Sequence, residues 1–190
     1  MILCFTAKSL YAQAIHNIET YDNGNIKHIY YHQKVSNKIK KIKFEEYFKN
    51  GNKRKEGSFK NNKKSGIWKE WNEEGIKISE GNYTNGYRDG FWIGWHANGV
   101  KQGEVTWKDG MENGLWIIWH QNGKKMREVH WLDGKRNGKC QEWYENGAKK
   151  LEGFWKKGSK NGKWNYWSEN GNKIKEEIHE EGKIKMEKWY

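Results

Sequence analysis

Residues 90–123 read GFWIGWHANGVKQGEVTWKDGMENGLWIIWHQNG. Within them, Gly90-Phe-Trp92-Ile-Gly-Trp95-His-Ala-Asn98-Gly99 returns 24 residues later as Gly114-Leu-Trp116-Ile-Ile-Trp119-His-Gln-Asn122-Gly123. Followed outward, the 24-residue clock runs through most of the chain, and a fixed period of this length is the signature of a repeat architecture. Gly66, Gly90, Gly114, Gly138 and Gly162 keep one phase. Gly51, Gly75, Gly99, Gly123, Gly147 and Gly171 keep a second, and Gly86, Gly110, Gly134, Gly158 and Gly182 a third. Aromatic residues obey the same clock. Trp68, Trp92, Trp116 and Trp164 share a phase with Phe44 and Cys140; Tyr47, Trp71, Trp95, Trp119, Trp143 and Trp167 form a second series. Phe59, Tyr83, Trp107, Trp131 and Trp155 form a third, which ends at His179.

Each unit divides into two short strands. Asn-Gly at 50–51, 98–99, 122–123, 146–147 and 170–171, with Glu74-Gly75 as the exception, predicts tight hairpins with type I′ turns, which need positive φ at both central residues. The other turn is also glycine-bearing, as in Asp109-Gly110 to Gly114. No segment carries a 3.6-residue period long enough for a helix. The expectation is therefore an all-β fold of tandem antiparallel β-hairpins in an elongated single-layer sheet. Six units occupy 42–190, a capping hairpin occupies 15–41, and Lys183 to Tyr190 supplies a closing strand. Two strands per unit advance such a sheet by ~9.6 Å, so six units span ~60 Å. The two Trp of one strand are three apart and point to opposite faces. Stacked rings then replace a thick core, and glycine beside a Trp leaves room for the ring to lie on the backbone.

Composition supports a thin structure. Of 190 residues, 34% are hydrophobic and 32% charged, a balance near that of disordered chains, but 13 Trp and 10 Tyr are what such chains lack. Each ring covers a large area even where every residue lies near water. There are 22 Gly and no Pro. Net charge is +12, from 36 Lys and Arg against 24 Asp and Glu, which favours an acidic partner surface. Cys4 and Cys140 have no metal-ligand or disulfide-framework spacing. No stretch reaches the ~20 apolar residues of a membrane helix. Residues 1–14 (MILCFTAKSLYAQA) end in Ala12-Gln13-Ala14. They read either as the remnant of a signal segment, which would place the protein in the periplasm or outside the cell, or as a first strand, which would leave it in the cytoplasm.

Charged residues repeat as well. Lys53, Lys77, Lys101, Lys125, Lys149 and Lys173 form one row, and Glu56, Glu80, Glu104, Glu128, Glu152 and Glu176 follow three residues later. Opposite charges across strands would hold register. Without a bulge, an offset of three would instead put the two rows on opposite faces and leave one face basic. His96 and His120 share a phase and join the lysine row as candidate binding-surface residues. Identical carboxylates in every unit argue for a structural duty rather than acid–base catalysis, and no nucleophile, metal or cofactor constellation is legible.

The unit G-x-W-x-x-W-x-x-x-G-x-x-x-x-E-x-x-[YW]-x-x-G, quoted from 90–99 and 114–123, resembles the MORN-repeat variant of bacterial proteins. Such proteins are commonly grouped as YwqK-family antitoxins of toxin–antitoxin systems. The resemblance covers about 42–190 and departs from the pattern at Cys140 and His179. It implies a MORN-like solenoid that holds a protein or membrane surface. Read this way, the chain is a non-enzymatic, monomeric scaffold for a protein partner, a toxin or an envelope protein. The alternative is a module for carbohydrate, anionic lipid or cell envelope that uses exposed Trp and Lys rows; nucleic acid is disfavoured.

Overall fold

The computed structural model describes residues 14–35 and 37–190, and all its regular structure is β. The strands are β1 Ala14–Thr20, β2 Ile26–Val35, β3 Lys38–Tyr47, β4 Lys53–Lys60, β5 Lys63–Trp71, β6 Lys77–Thr84, β7 Tyr87–Trp95 and β8 Lys101–Lys108. After them come β9 Met111–Glu112, β10 Gly114–Trp119, β11 Lys125–Leu132, β12 Lys135–Trp143, β13 Lys149–Lys156, β14 Ser159–Trp167, β15 Lys173–Glu180 and β16 Lys183–Trp189. They pair antiparallel in sequence order within one sheet, β9 alone lying off the main path against β8. Except at its last residue, segment 1–14 falls outside the described residues. The hairpin of β1 and β2 precedes the repeats, and its Tyr21 hydroxyl donates to the Tyr47 carbonyl of the next turn at 2.8 Å.

The turns reverse the expected assignment. At Asn50-Gly51, the Gly51 N–H donates to the Phe48 carbonyl and the Phe48 N–H to the Asn52 carbonyl. Only the glycine has positive φ, +91°. This is a three-residue loop, a type I turn closed by a left-handed glycine. Its counterparts at Gly75, Gly99, Gly123, Gly147 and Gly171 match it. The type I′ turns lie at the other end of each strand, where both central residues are left-handed: Asn61-Asn62, Asn85-Gly86, Asp109-Gly110, Asp133-Gly134, Lys157-Gly158 and Glu181-Gly182. Asparagine recurs in the first set for a different reason. The Asn122 Oδ1 accepts from the Lys124 N–H, while its Nδ2 donates to the Glu145 carbonyl one unit on. Asn50, Asn98 and Asn146 repeat both bonds, and so tie each turn to the next.

Each repeat hairpin also carries one extra residue. Trp71 faces Lys77 while Glu70 faces Ser79, so Ile78 is a bulge. Equivalent shifts follow Tyr47, Trp95, Trp119, Trp143 and Trp167. An extra residue shifts the alternation by one position. Lysine and glutamate three apart therefore share a face.

Packing is carried by glycine–indole joints. Trp68 lies against Gly57, Trp92 against Gly81 and Trp164 against Gly153; a Cβ on any of these glycines would come within 2.1–2.2 Å of the ring. The three indoles are 2–5% exposed, which makes them the core of a sheet one layer thick. Rings of the third aromatic series bridge them edge-on: Tyr83 stands 5.8 Å from Trp68 and 5.1 Å from Trp92, and Trp155 stands 5.2 Å from Trp164. The expected ladder of like rings in direct contact is thus an alternation of two series. At the position held by Gly57 and Gly81, the third and fourth units carry Val105 and Val129. Val129 faces Cys140, which gives up ring volume where valine adds it, and both are buried. Val105 faces a full Trp116 in the same phase, and there the indole is only half-buried, its Nε1 turned toward Gly103, while the strand breaks into β9 and β10.

Candidate functional site

The two faces differ in chemistry. One holds the glycine–indole joints beneath a roof of cations. The Lys64 Nζ lies 4.3 Å from the Trp68 ring and 4.8 Å from Tyr83. Arg88 covers Trp92 and Trp107, Arg136 covers Trp131 and Trp155, and Lys160 covers Trp164. These cations share the 24-residue phase except at Glu112, and the period could have revealed them. A cation over an indole is worth about 0.5–2 kcal/mol, depending on desolvation.

The opposite face carries the second Trp series and both charged rows. Lys53, Lys77, Lys101, Lys125, Lys149 and Lys173 each bind the Glu three residues on, at 2.5–2.8 Å. Most also lie over an aromatic ring: Lys77 over Trp95 at 4.3 Å, Lys101 over Trp119 at 4.9 Å, Lys125 over Trp143 and Lys149 over Trp167. Lysine thus separates successive tryptophans. Both charges of each pair are engaged within the sheet. The other two candidates bind backbone: the His96 Nε2 contacts the Trp119 carbonyl at 2.9 Å and the His120 Nε2 the Trp143 carbonyl at 3.1 Å. Tyr144 donates its hydroxyl to the Trp167 carbonyl in the same phase.

Each end of the repeats holds a buried carboxylate that the period does not announce. Glu45 accepts from the hydroxyls of Tyr31 and Tyr47 at 2.7 and 2.8 Å, and from Lys43 and Lys53. Burial pushes its carboxyl up, but the bonds from Lys43, Tyr31, Tyr47 and Lys53 outweigh this and hold it at about 2. Burial and the bond to Glu45 raise Tyr47 to about 12. At the other end, Glu177 stands in the Gly57 phase and is bound by Tyr166, His179, Lys160 and Lys175. Burial works against its ionisation; the bonds from Lys175, Tyr166 and His179 more than compensate and keep it well below the usual range. His179, which ends the third ring series, packs edge-on against Trp164 and so serves the same cluster. Burial pushes the Cys140 thiol up. Among the described residues, no group of three His, Cys, Asp or Glu converges as a metal site.

One part of this face remains open. Two positions before Lys69, Ile93 and Ile117 on their strands stand Ile67, Phe91 and Leu115, at 51%, 52% and 38% exposure. Tyr87, Met111 and Leu132 lie exposed beside them at the strand ends next to the type I′ turns.

Comparisons with known proteins follow the same units. Residues 40–61, 64–85, 112–133 and 136–157 match the MORN repeat variant. Each match spans one hairpin with its glycine-closed turn. The same phase marks units at 88–109 and 160–181, outside the matches; one holds Val105 and the other Glu177 and His179. No curated protein matches the chain. Among solved structures, a protein of unknown function from Bacteroides fragilis aligns with 95% of this chain and 94% of its own, at 10% identity and a TM-score of 0.20. At that score the likeness carries no argument. Four hairpin units of this chain thus match the MORN repeat variant, within one continuous sheet of hairpins.

Proposed function

We propose that the chain is a non-enzymatic scaffold that holds a protein partner on its sheet. The observation that carries this reading is that the recurring chemistry is spent within and between the units themselves. Rings fill glycine joints, each lysine of the repeated row binds its glutamate, and the His96 and His120 rings bind the next unit's backbone. What remains is a long self-supporting surface, as repeat arrays characteristically present. The two buried carboxylates have pKa values lowered rather than raised, the reverse of what a general acid needs. Few ring faces are open for sugar stacking, since the indoles lie under cations or on glycine. The finer reading, that the partner is a toxin, rests on the sequence resemblance.

Affinity capture from the native host with the full chain tests the scaffold reading. One dominant protein partner is expected, and for the finer reading its toxicity should be relieved by co-expression. Strong retention on polysaccharide or lipid with no protein captured would overturn both.

A further inference from the structure

Resting on the scaffold reading, we infer that the partner docks through an amphipathic helix with acidic flanks. The helix would lie across the strands, on the half of the open face next to the type I′ turns. Ile67, Phe91 and Leu115 form a row at the repeat spacing, and Tyr87, Met111 and Leu132 form its border. Contiguous exposed apolar side chains of this kind mark interaction surfaces. Elsewhere on the face most ring positions are covered by paired lysines, whereas among the described residues this half stays open.

Charge selects the occupant. Lys60, Lys63, Lys108, Lys135, Lys139 and Lys156 surround the row, are exposed, and make no ion pair among the described residues. Against them the turn tips set Asp109 and Asp133, the latter bound by Asn113. This part of the face is therefore locally basic, while the repeated lysine row is neutralised by its glutamates. A second copy would bring the same lysines against themselves. An anionic bilayer would have to spread over the adjacent column of Lys77–Glu80, Lys101–Glu104 and Lys125–Glu128 pairs, which offers it no net charge. A helix avoids that column. Its width of about 10–12 Å fits the ~13 Å between the apolar row and the turns, and seven helical residues rise ~10.5 Å against a repeat of ~9.6 Å. Leucines on an i, i+7 stripe would meet successive units, flanked by carboxylates over the lysines.

The test uses the full chain and two labelled synthetic helices of three heptads. They share the same leucine stripe, with glutamate at the remaining positions of one and lysine at those of the other. Fluorescence anisotropy at physiological salt is expected to show the acidic helix binding at least about tenfold more tightly. Phe91→Ser with Leu115→Ser should weaken it about tenfold or more while leaving the thermal midpoint of the exposed-site variant near that of the parent. Lys63→Glu with Lys139→Glu should shift preference toward the basic helix. Equal binding of both helices, binding indifferent to these substitutions, or stronger use of the same residues by phosphatidylglycerol vesicles would overturn the inference. Host-partner capture that persists in the Phe91/Leu115 variant would also overturn it and leave the scaffold reading standing. Loss of all capture by the parent chain would remove the scaffold reading itself.

Discussion

The joint at Gly153–Trp164 and the joint at Val105–Trp116 occupy the same place in the repeat and behave differently. In the first, the indole lies on bare backbone, is 2% exposed, and its strand pairs with β15 from Gly162 to Trp167 without a gap before the bulge. In the second, two methyl groups stand where the ring would lie; Trp116 is only half-buried, its Nε1 turned toward Gly103, and the strand breaks into β9 and β10. Between these lies Val129–Cys140, where valine is tolerated because cysteine replaces the ring. The lesson concerns volume. In a single layer there is no second sheet to absorb misfit, so a side chain added at the joint displaces the ring that would lie there. Packed interiors feel a single methylene, and here the interior is one ring thick.

The comparison can be broken most forcefully at Trp164. Trp164→Ala is expected to cost about 3–5 kcal/mol, read from denaturant unfolding, because nothing above the sheet can collapse into the gap. A cost under about 1 kcal/mol would mean that the joint is not the core.

The repeat ends offer the next largest effect. The Glu45 carboxyl titrates at about 2 in the fold and near ~4.3 when unfolded, so the unfolded chain binds more protons between those values. Its contribution is complete above ~4.3 and is lost as pH falls through about 2, on the order of 2–3 kcal/mol in all. Thermal melts of the parent should show this loss, and Glu45→Gln should flatten the dependence in that window. An unchanged pH profile in the variant would reassign it to other carboxylates.

Gly153→Val tests the volume rule directly. Alone it should cost about 1–3 kcal/mol by overpacking, and combined with Trp164→Cys it should recover part of that cost, as Val129 and Cys140 coexist. Strictly additive penalties would reject the rule. The smallest effect is expected at Val105→Gly. Glycine entropy of about 0.5–1 kcal/mol opposes any gain in global stability, but exchange of the Trp116 indole N–H should slow as the ring seats on the backbone and binds a carbonyl as Trp68 and Trp92 do. Unaltered exchange would show that Val105 is not what displaces the ring.

Much of the architecture was legible because each position recurs. The spacing of Gly, Trp, Lys and Glu identified two strands per unit, and the neighbouring strands in the sheet are consecutive in the chain. The turn types were exchanged because Asn-Gly satisfies two geometries: its glycine supplies positive φ in either, and only the backbone bonds to residues 48 and 52 distinguish them. The open apolar half-face escaped notice because Ile67, Phe91 and Leu115 are replaced in later units by Lys139 and Lys163. Periodicity detects what is constant along the array, whereas this surface is defined by what changes. Glu45 and Glu177 were missed for the same reason, since each occurs once at an end.

By itself, then, the order of residues determined the period, the all-β class and the alternation of ring and glycine, because each depends on local backbone preference and on neighbours 24 residues apart. Three-dimensional pairing alone decided which side chains share a face. One bulged residue per hairpin moves the lysine row onto the glutamate row. A one-residue shift exchanges every side chain between faces, and its energy resides in the completed ladder rather than in any single strand.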